Sequence, residues 1–205
     1  MADNYSLSAR LYDPLLYLPM RSIRKAVLHE LVYNQQDAIV DLCGGTGNQL
    51  KLLARNGFTD LHCVDLSPEM LAIAKNGGNT ISIYEQDATA TSFNNEHFAA
   101  AIISFALHEK EFDVRLDLLS EAHRILKPDG KLLVVDYLFD EQTRKTGYGS
   151  INLVEWFAGG DHYRNFKDYI SKGGLSNLVD HKKYYSLKNT RLLLGGVIFN
   201  VYQKR

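Results

Sequence analysis

The chain has 205 residues, 45% of them hydrophobic and 23% charged, enough for one domain that buries about 70% of its unfolded surface without crosslinks. Its 23 basic and 24 acidic side chains leave a formal charge of −1, which argues against a dedicated nucleic-acid binder, since such proteins carry a basic excess. Two cysteines, Cys43 and Cys63, cannot build a disulfide framework, no signal-peptide pattern opens the chain, and no run of about 18 apolar residues spans a membrane, so a reducing cytoplasm is the expected setting.

Residues 4–34 carry Leu7, Leu11, Leu15 and Leu18, then Ile23, Val27, Leu28, Leu31 and Val32, at helical spacing. Pro14 and Pro19 interrupt them, which predicts a short helix, a turn and a second helix from about Met20 to Val32. From Ala38 short apolar runs alternate with helical ones, the pattern of a parallel sheet covered by helices. Strands are expected at Ala38–Leu42, Leu61–Asp65 and Ile81–Glu85, with helices at Gly47–Asn56 and Pro68–Lys75 between them. Phe98–Phe105 is nearly continuously apolar, as a strand buried on both faces must be. Val114–Leu126 is helical, Lys127-Pro128-Asp129-Gly130 reads as a turn, and Lys131–Asp136 as strand five. Asn152–Gly173 is helical but irregular, and Lys183–Leu187 with Val197–Tyr202 suits an antiparallel pair. The sum is α/β: a Rossmann-like, seven-stranded, mostly parallel sheet with a C-terminal antiparallel strand, helices on both faces and an N-terminal helical cap. One domain over residues 1–205 is expected, divided into the cap (1–35), a core (36–136) and an insert with the last two strands (137–205).

The turn after the first strand is Asp41-Leu42-Cys43-Gly44-Gly45-Thr46-Gly47. Glycines permit backbone conformations closed to other residues and let a ligand approach the main chain. Ligands of open α/β sheets lie beyond the carboxyl ends of the strands. A dinucleotide site needs G-x-G-x-x-G, and aligned on the strand end those positions are Cys43, Gly45 and Asn48. A P-loop needs a lysine after its glycines, and none follows.

Four segments together resemble the class I S-adenosylmethionine (SAM)-dependent methyltransferases: Val40–Gly47, Val64-Asp65-Leu66-Ser67-Pro68-Glu69-Met70-Leu71, Gln86-Asp87-Ala88 and Glu121–Gly130. They cover roughly residues 38–136 and are most similar to the ubiquinone- and menaquinone-biosynthesis type and related small-molecule enzymes. Cys43 and Asp129 stand where the family usually has glycine. The resemblance implies SAM as cofactor, with S-adenosylhomocysteine (SAH) as product. It implies that Asp65 holds the ribose hydroxyls, Leu66 covers the adenine, Asp87 binds the adenine amino group beside the Ala88 N–H, and Asp41 holds the methionine ammonium. Cys43, Gly45 and Gly47 pass under the methionine moiety, and Ser104 offers a backbone contact. Tyr12, with Asp13, resembles the Tyr-Asp pair placed over the cofactor in many of these enzymes.

Methyl transfer demands alignment of acceptor, methyl and sulfur with water excluded. A base is needed only where the acceptor must lose a proton. His108, just past strand four, occupies the position that faces the acceptor in this fold and can take a proton or orient the acceptor. The insert offers Tyr137, Trp156, His162 and Tyr163, aromatics with polar tips that suit a small, partly apolar organic acceptor. The Asn/Asp-Pro-Pro-aromatic tetrad of amino-methylating nucleic-acid enzymes is absent, as is a Pro-Cys nucleophile, and no Cys/His spacing predicts a metal. No nucleic-acid partner is expected, and the chain is expected to be a monomer or homodimer. Two other readings compete: a protein of this fold that binds SAM or SAH without transferring methyl, and an NAD-dependent oxidoreductase, disfavoured by Cys43 and Asn48.

Overall fold

A computed structural model describes residues 20–76 and 80–205. Helix α1 spans residues 20–31. It is followed by β1 (Ile39–Leu42), α2 (Asn48–Ala54), β2 (Leu61–Asp65), α3 (Pro68–Lys75), β3 (Ile81–Glu85), β4 (Phe98–Ser104), α4 (Phe112–Ile125), β5 (Leu126–Tyr137), α5 (Lys145–Ala158), α6 (Gly160–Ser171), β6 (Tyr184–Leu192) and β7 (Val197–Lys204). The seven strands form one sheet in the order β3-β2-β1-β4-β5-β7-β6. Strands β1 to β5 run parallel, and β7 is antiparallel to both β5 and β6. The order reverses between β1 and β4, the place where open α/β sheets leave a crevice for ligand.

Alternation along the strands sorts the core. Ile39, Ala100, Ile102, Leu133, Val135 and Phe199 pack with Ile23, Val27 and Leu31 of α1, Leu50 and Leu53 of α2, and Leu71 and Ala74 of α3. Val40, Leu42, Ala101, Ile103, Leu132 and Val134 pack with Leu118, Ala122 and Ile125 of α4 and Tyr169 of α6. Both faces are covered, so β1 and β4 read as unbroken apolar runs. Helix α3 begins where its sequence says it should. Ser67 caps it by accepting the Met70 N–H at 3.2 Å, and Pro68 occupies the first turn.

The structure departs from the sequence expectation in three places. Lys127–Gly130 is not a turn outside the sheet but a bulge within β5, for Phe98 pairs with Leu126 and Ala100 with Lys131. Asp129 takes φ 61° there, a left-handed conformation that explains why glycine is usual at this position and why Asp, among non-glycine residues, is tolerated. The irregular helix of the insert is two helices. The first starts at Lys145 rather than Asn152, and they meet at Gly159 with φ 93°. Strand β6 runs to Leu192, longer than expected, because it is an edge strand whose polar, exposed residues carry no apolar signal. Among the described residues no helix is long and apolar enough to cross a membrane.

Candidate active site

A cavity of about 290 Å³ opens at the carboxyl rim of the sheet beside the switch point. Asp41, Cys43, Gly44, Gly45 and Thr46 line it from the β1 turn, Ser104 and Phe105 from the end of β4, and Met70 from α3. Met20, Ile23 and Arg24 of α1 close one side, so the described part of the N-terminal segment does border the site. Tyr12 lies outside the described residues.

The turn is built by left-handed residues. Cys43, Gly45 and Gly47 have φ of 62°, 54° and 68°. Cys43 therefore sits in the conformation that makes glycine usual there, at a cost of roughly 1–2 kcal/mol. A Cβ on Gly44 would meet the Cys63 Sγ at 2.8 Å, and one on Gly47 the Ala74 Cβ at 3.0 Å, whereas one on Gly45 would meet nothing within 4 Å. Gly44 and Gly47 thus let the turn sit down on β2 and α3, while Gly45 faces open space. That open cradle over bare main chain fits an extended ligand lying across the turn.

Asp65 ends β2 and braces the cradle. Its Oδ2 accepts the Gly45 N–H at 2.8 Å and its Oδ1 the Ser67 N–H at 2.9 Å. An ionised carboxylate has about four acceptor positions, so capacity for a diol remains. Leu66 beside it is 65% exposed, an apolar side chain presented at the rim. Asp87 follows β3. Its Oδ1 accepts from the Thr89 backbone N–H at 2.9 Å and hydroxyl at 2.8 Å, which hold the carboxyl below its ordinary range, and Ala88 is buried. Asp41 is buried in β1. Loss of solvent, and then the charge of Asp65, push its carboxyl up to about 7 against the pull of Arg24. A buried acid with so much to gain from a nearby cation suits a ligand ammonium. Burial pushes the Cys43 thiol up to about 12 and the Cys63 thiol higher, so neither is a thiolate nucleophile at neutral pH.

Beyond Phe105, whose ring lies 5.4 Å from that of Tyr137, is a second polar cluster. His108 is buried, its Nδ1 2.7 Å from Asp136 Oδ1 and its Nε2 3.6 Å from Glu155 Oε2. Asp136 is itself fixed, since its Oδ2 accepts the N–H groups of Leu107 and His108 and its Oδ1 that of Tyr137. Tyr137 donates its hydroxyl to Glu155 Oε1 at 2.8 Å, and His162 Nε2 lies 2.6 Å from Glu155 Oε2. Burial works against charge at His108, but Asp136, Glu155 and Glu109 outweigh it and raise its pKa. Glu155 is lowered although burial opposes it, through His162, His108 and Tyr137.

The structure thus joins three of the residues singled out in the sequence, His108, Tyr137 and His162. Tyr163 sits at the edge of this group, stacked beside Phe166 at 6.1 Å. Trp156 is 59% exposed on α5. Sequence reasoning missed Asp136 and Glu155, acids that nothing distinguishes in a chain with 24 of them, and takes Glu109, beside His108, as a solvated acid. It also missed Arg115, fully buried, which donates to Leu107 O, Asn165 O and Asp168 Oδ2 at 2.8–2.9 Å. Asn165 donates to Glu109 O at 2.8 Å, so that side chain serves as scaffold under the His108 loop.

The strand order and the rim site define the class I methyltransferase fold. A solved structure with the same fold is the S-adenosylmethionine dependent methyltransferase from Mesorhizobium loti, at TM-score 0.64 and 19% identity, covering 89% of this chain and 96% of that one. Residues 39–130 match the family described as methyltransferase domain. The demethylmenaquinone methyltransferase of Beutenbergia cavernae is 33% identical over 138 residues, 67% of this chain and 56% of the relative. That of Thermotoga maritima is 29% identical over 150 residues, 71% and 65% respectively. In fold, and in sequence over these segments, the chain is similar to the class I SAM-dependent methyltransferases. It spans between half and two thirds of the length of these two relatives.

Proposed function

We propose that the protein transfers a methyl group from SAM to an O, N or C atom of a small, partly apolar organic acceptor. The observation that carries this reading is the placement of Asp41, near the end of β1, and Asp65, at the end of the neighbouring β2, beside an open glycine cradle. SAM supplies an electrophilic methyl on a sulfonium. Asp65 would take the ribose hydroxyls with its remaining acceptor positions, Leu66 would cover the adenine and Asp87 with Ala88 would bind its edge. Asp41 would hold the ammonium, with Cys43, Gly45, Gly47 and Ser104 along the methionine chain and Tyr12 over it. SAH is the corresponding product.

The acceptor is assigned to the side of Phe105 and Tyr137, where His162, Tyr163 and Trp156 bring aromatic surface with polar tips. His108, locked by Asp136, either positions the acceptor or takes its proton as it is methylated. Similarity to demethylmenaquinone methyltransferases supports a cyclic, oxygen-bearing acceptor such as a quinol.

Methyl-tritiated SAM, incubated with the protein and a small-molecule extract, tests the reading. Label is expected in an organic-soluble product, less of it with His108→Ala while SAH affinity is kept. SAH binding with no labelled product under any condition would instead support a sensor or scaffold of this fold.

A further inference from the structure

The cluster around His108 is built in a way that hydrogen bonding between side chains does not fully explain. His108, Glu155 and His162 come from the loop after β4, from α5 and from α6, and donor atoms of all three lie within 4.8 Å of one another. No other group of three such side chains meets that condition among the described residues. Asp136 engages Nδ1 of His108. The Nε2 atom therefore faces Glu155 Oε2, at 3.6 Å, too far for a hydrogen bond. With bonds of about 2.0–2.1 Å, neighbouring ligands of a tetrahedral zinc ion lie about 3.4 Å apart, close to that spacing.

We propose that His108, Glu155 and His162 bind a divalent transition-metal ion of the zinc type, through two imidazole nitrogens and one carboxylate. Glu109 Oε2 stands 3.6 Å from Nδ1 of His162, a neighbour beyond hydrogen-bond range. Two of the prospective ligands already have a hydrogen-bonded outer partner: Asp136 orients His108, and the Tyr137 hydroxyl holds the other oxygen of Glu155 at 2.8 Å. Such outer contacts fix ring orientation and tautomer at metal sites. Three protein ligands leave a fourth position open, as at catalytic rather than structural zinc sites. His108 and Glu155 are almost fully buried while the His162 side chain is 19% exposed, so entry is from that side. The 2.6 Å His162–Glu155 contact holds a proton that the ion would displace. The open position would take an oxygen of the acceptor and make it more acidic; this use of the ion rests on the methyl-transfer reading, whereas binding of the ion does not. With the ion on Nε2, His108 is a ligand and no longer the proton acceptor.

Chelator-treated full chain is titrated calorimetrically with ZnCl2, and separately with SAH. One equivalent of zinc is expected to bind with a Kd in the micromolar range or tighter. Glu155→Gln and His162→Ala are each expected to weaken it by about a hundredfold or more. CoCl2 should give visible d–d absorption in the wild type that His162→Ala lacks. Glu155 is buried and its variant is at risk of misfolding, so the partly exposed His162 carries the test, with retained SAH binding as proof of folding. Wild type that binds SAH but takes up no zinc, or zinc uptake undiminished in folded His162→Ala, would overturn the inference. Zinc uptake without SAH binding would uphold the ion site and overturn the cofactor reading instead.

Discussion

Asp41 and Asp65 do different work with the same functional group. Asp65 grips two backbone N–H groups and keeps acceptor capacity. Charge-assisted hydrogen bonds contribute about 1.5–3 kcal/mol each, so losing two to a ribose in Asp65→Ala should weaken SAH by about a hundredfold or more. The same change strips Gly45 and Ser67 of an acceptor, and a further loss of about 1–3 kcal/mol in folding stability is expected by urea titration. Unchanged SAH affinity in calorimetry would contradict the assignment. Asp41 makes a pH prediction. Its carboxyl is pushed from 3.8 to about 7 on folding, so between those values the folded chain holds a proton the unfolded chain has released. Stability of the ligand-free protein therefore falls as pH rises through that window. An ammonium needs the ionised form, so SAH affinity should fall as pH drops below about 7. Asp41→Asn should flatten both slopes and weaken SAH about tenfold or more at pH 8. Equal slopes in the two proteins would argue that Asp41 does not meet the ligand.

At the scale of elements, the His108 loop is held from below. Arg115 of α4 is fully buried and ties Leu107 to α6 through Asn165 and Asp168. Arg115→Met keeps the bulk but strands two carbonyls, so a loss of about 2–5 kcal/mol is expected. Asp168→Asn should cost less, since Asp168 is about a third exposed and surface pairs contribute little. Chemical denaturation of the two variants checks the ranking, and a negligible loss in Arg115→Met would show that Arg115 acts by bulk alone. These ties were illegible in the sequence for the same reason that Glu155 and Asp136 were. A charged residue announces its type but not its partner, and the partners here are distant in the chain. By contrast, the candidate cofactor residues Asp41, Asp65 and Asp87 were legible because each lies in a segment that resembles the family's motifs, whereas Asp136, which also ends an expected strand, lies in none. Helix α5 was missed at its start since Gly147 and Gly149 are poor helix formers, and tertiary packing overrides them.

For the molecule as a whole, the order β3-β2-β1-β4-β5-β7-β6 puts the glycine turn and the His108 loop on the same rim, one strand apart. Helix α1 borders the cavity, and α5 with α6 bring Glu155 and His162 to His108. Under the proposed function, cofactor and acceptor would approach the switch point from these two places, as an in-line transfer between them requires. The two histidines and Tyr137 were recognisable as acceptor-side candidates only through the family resemblance; their convergence on Glu155 is a property of the fold. The account depends above all on the identity of the ligand in the glycine cradle. Calorimetric titration of the full chain with SAH, and in parallel with NAD+, tests it most directly. Saturable SAH binding at one site is predicted, with about 2.7 kcal/mol of added stability at a hundredfold excess over Kd, and no response to NAD+. A chain that ignores SAH, or that takes NAD+ equally well, would contradict it.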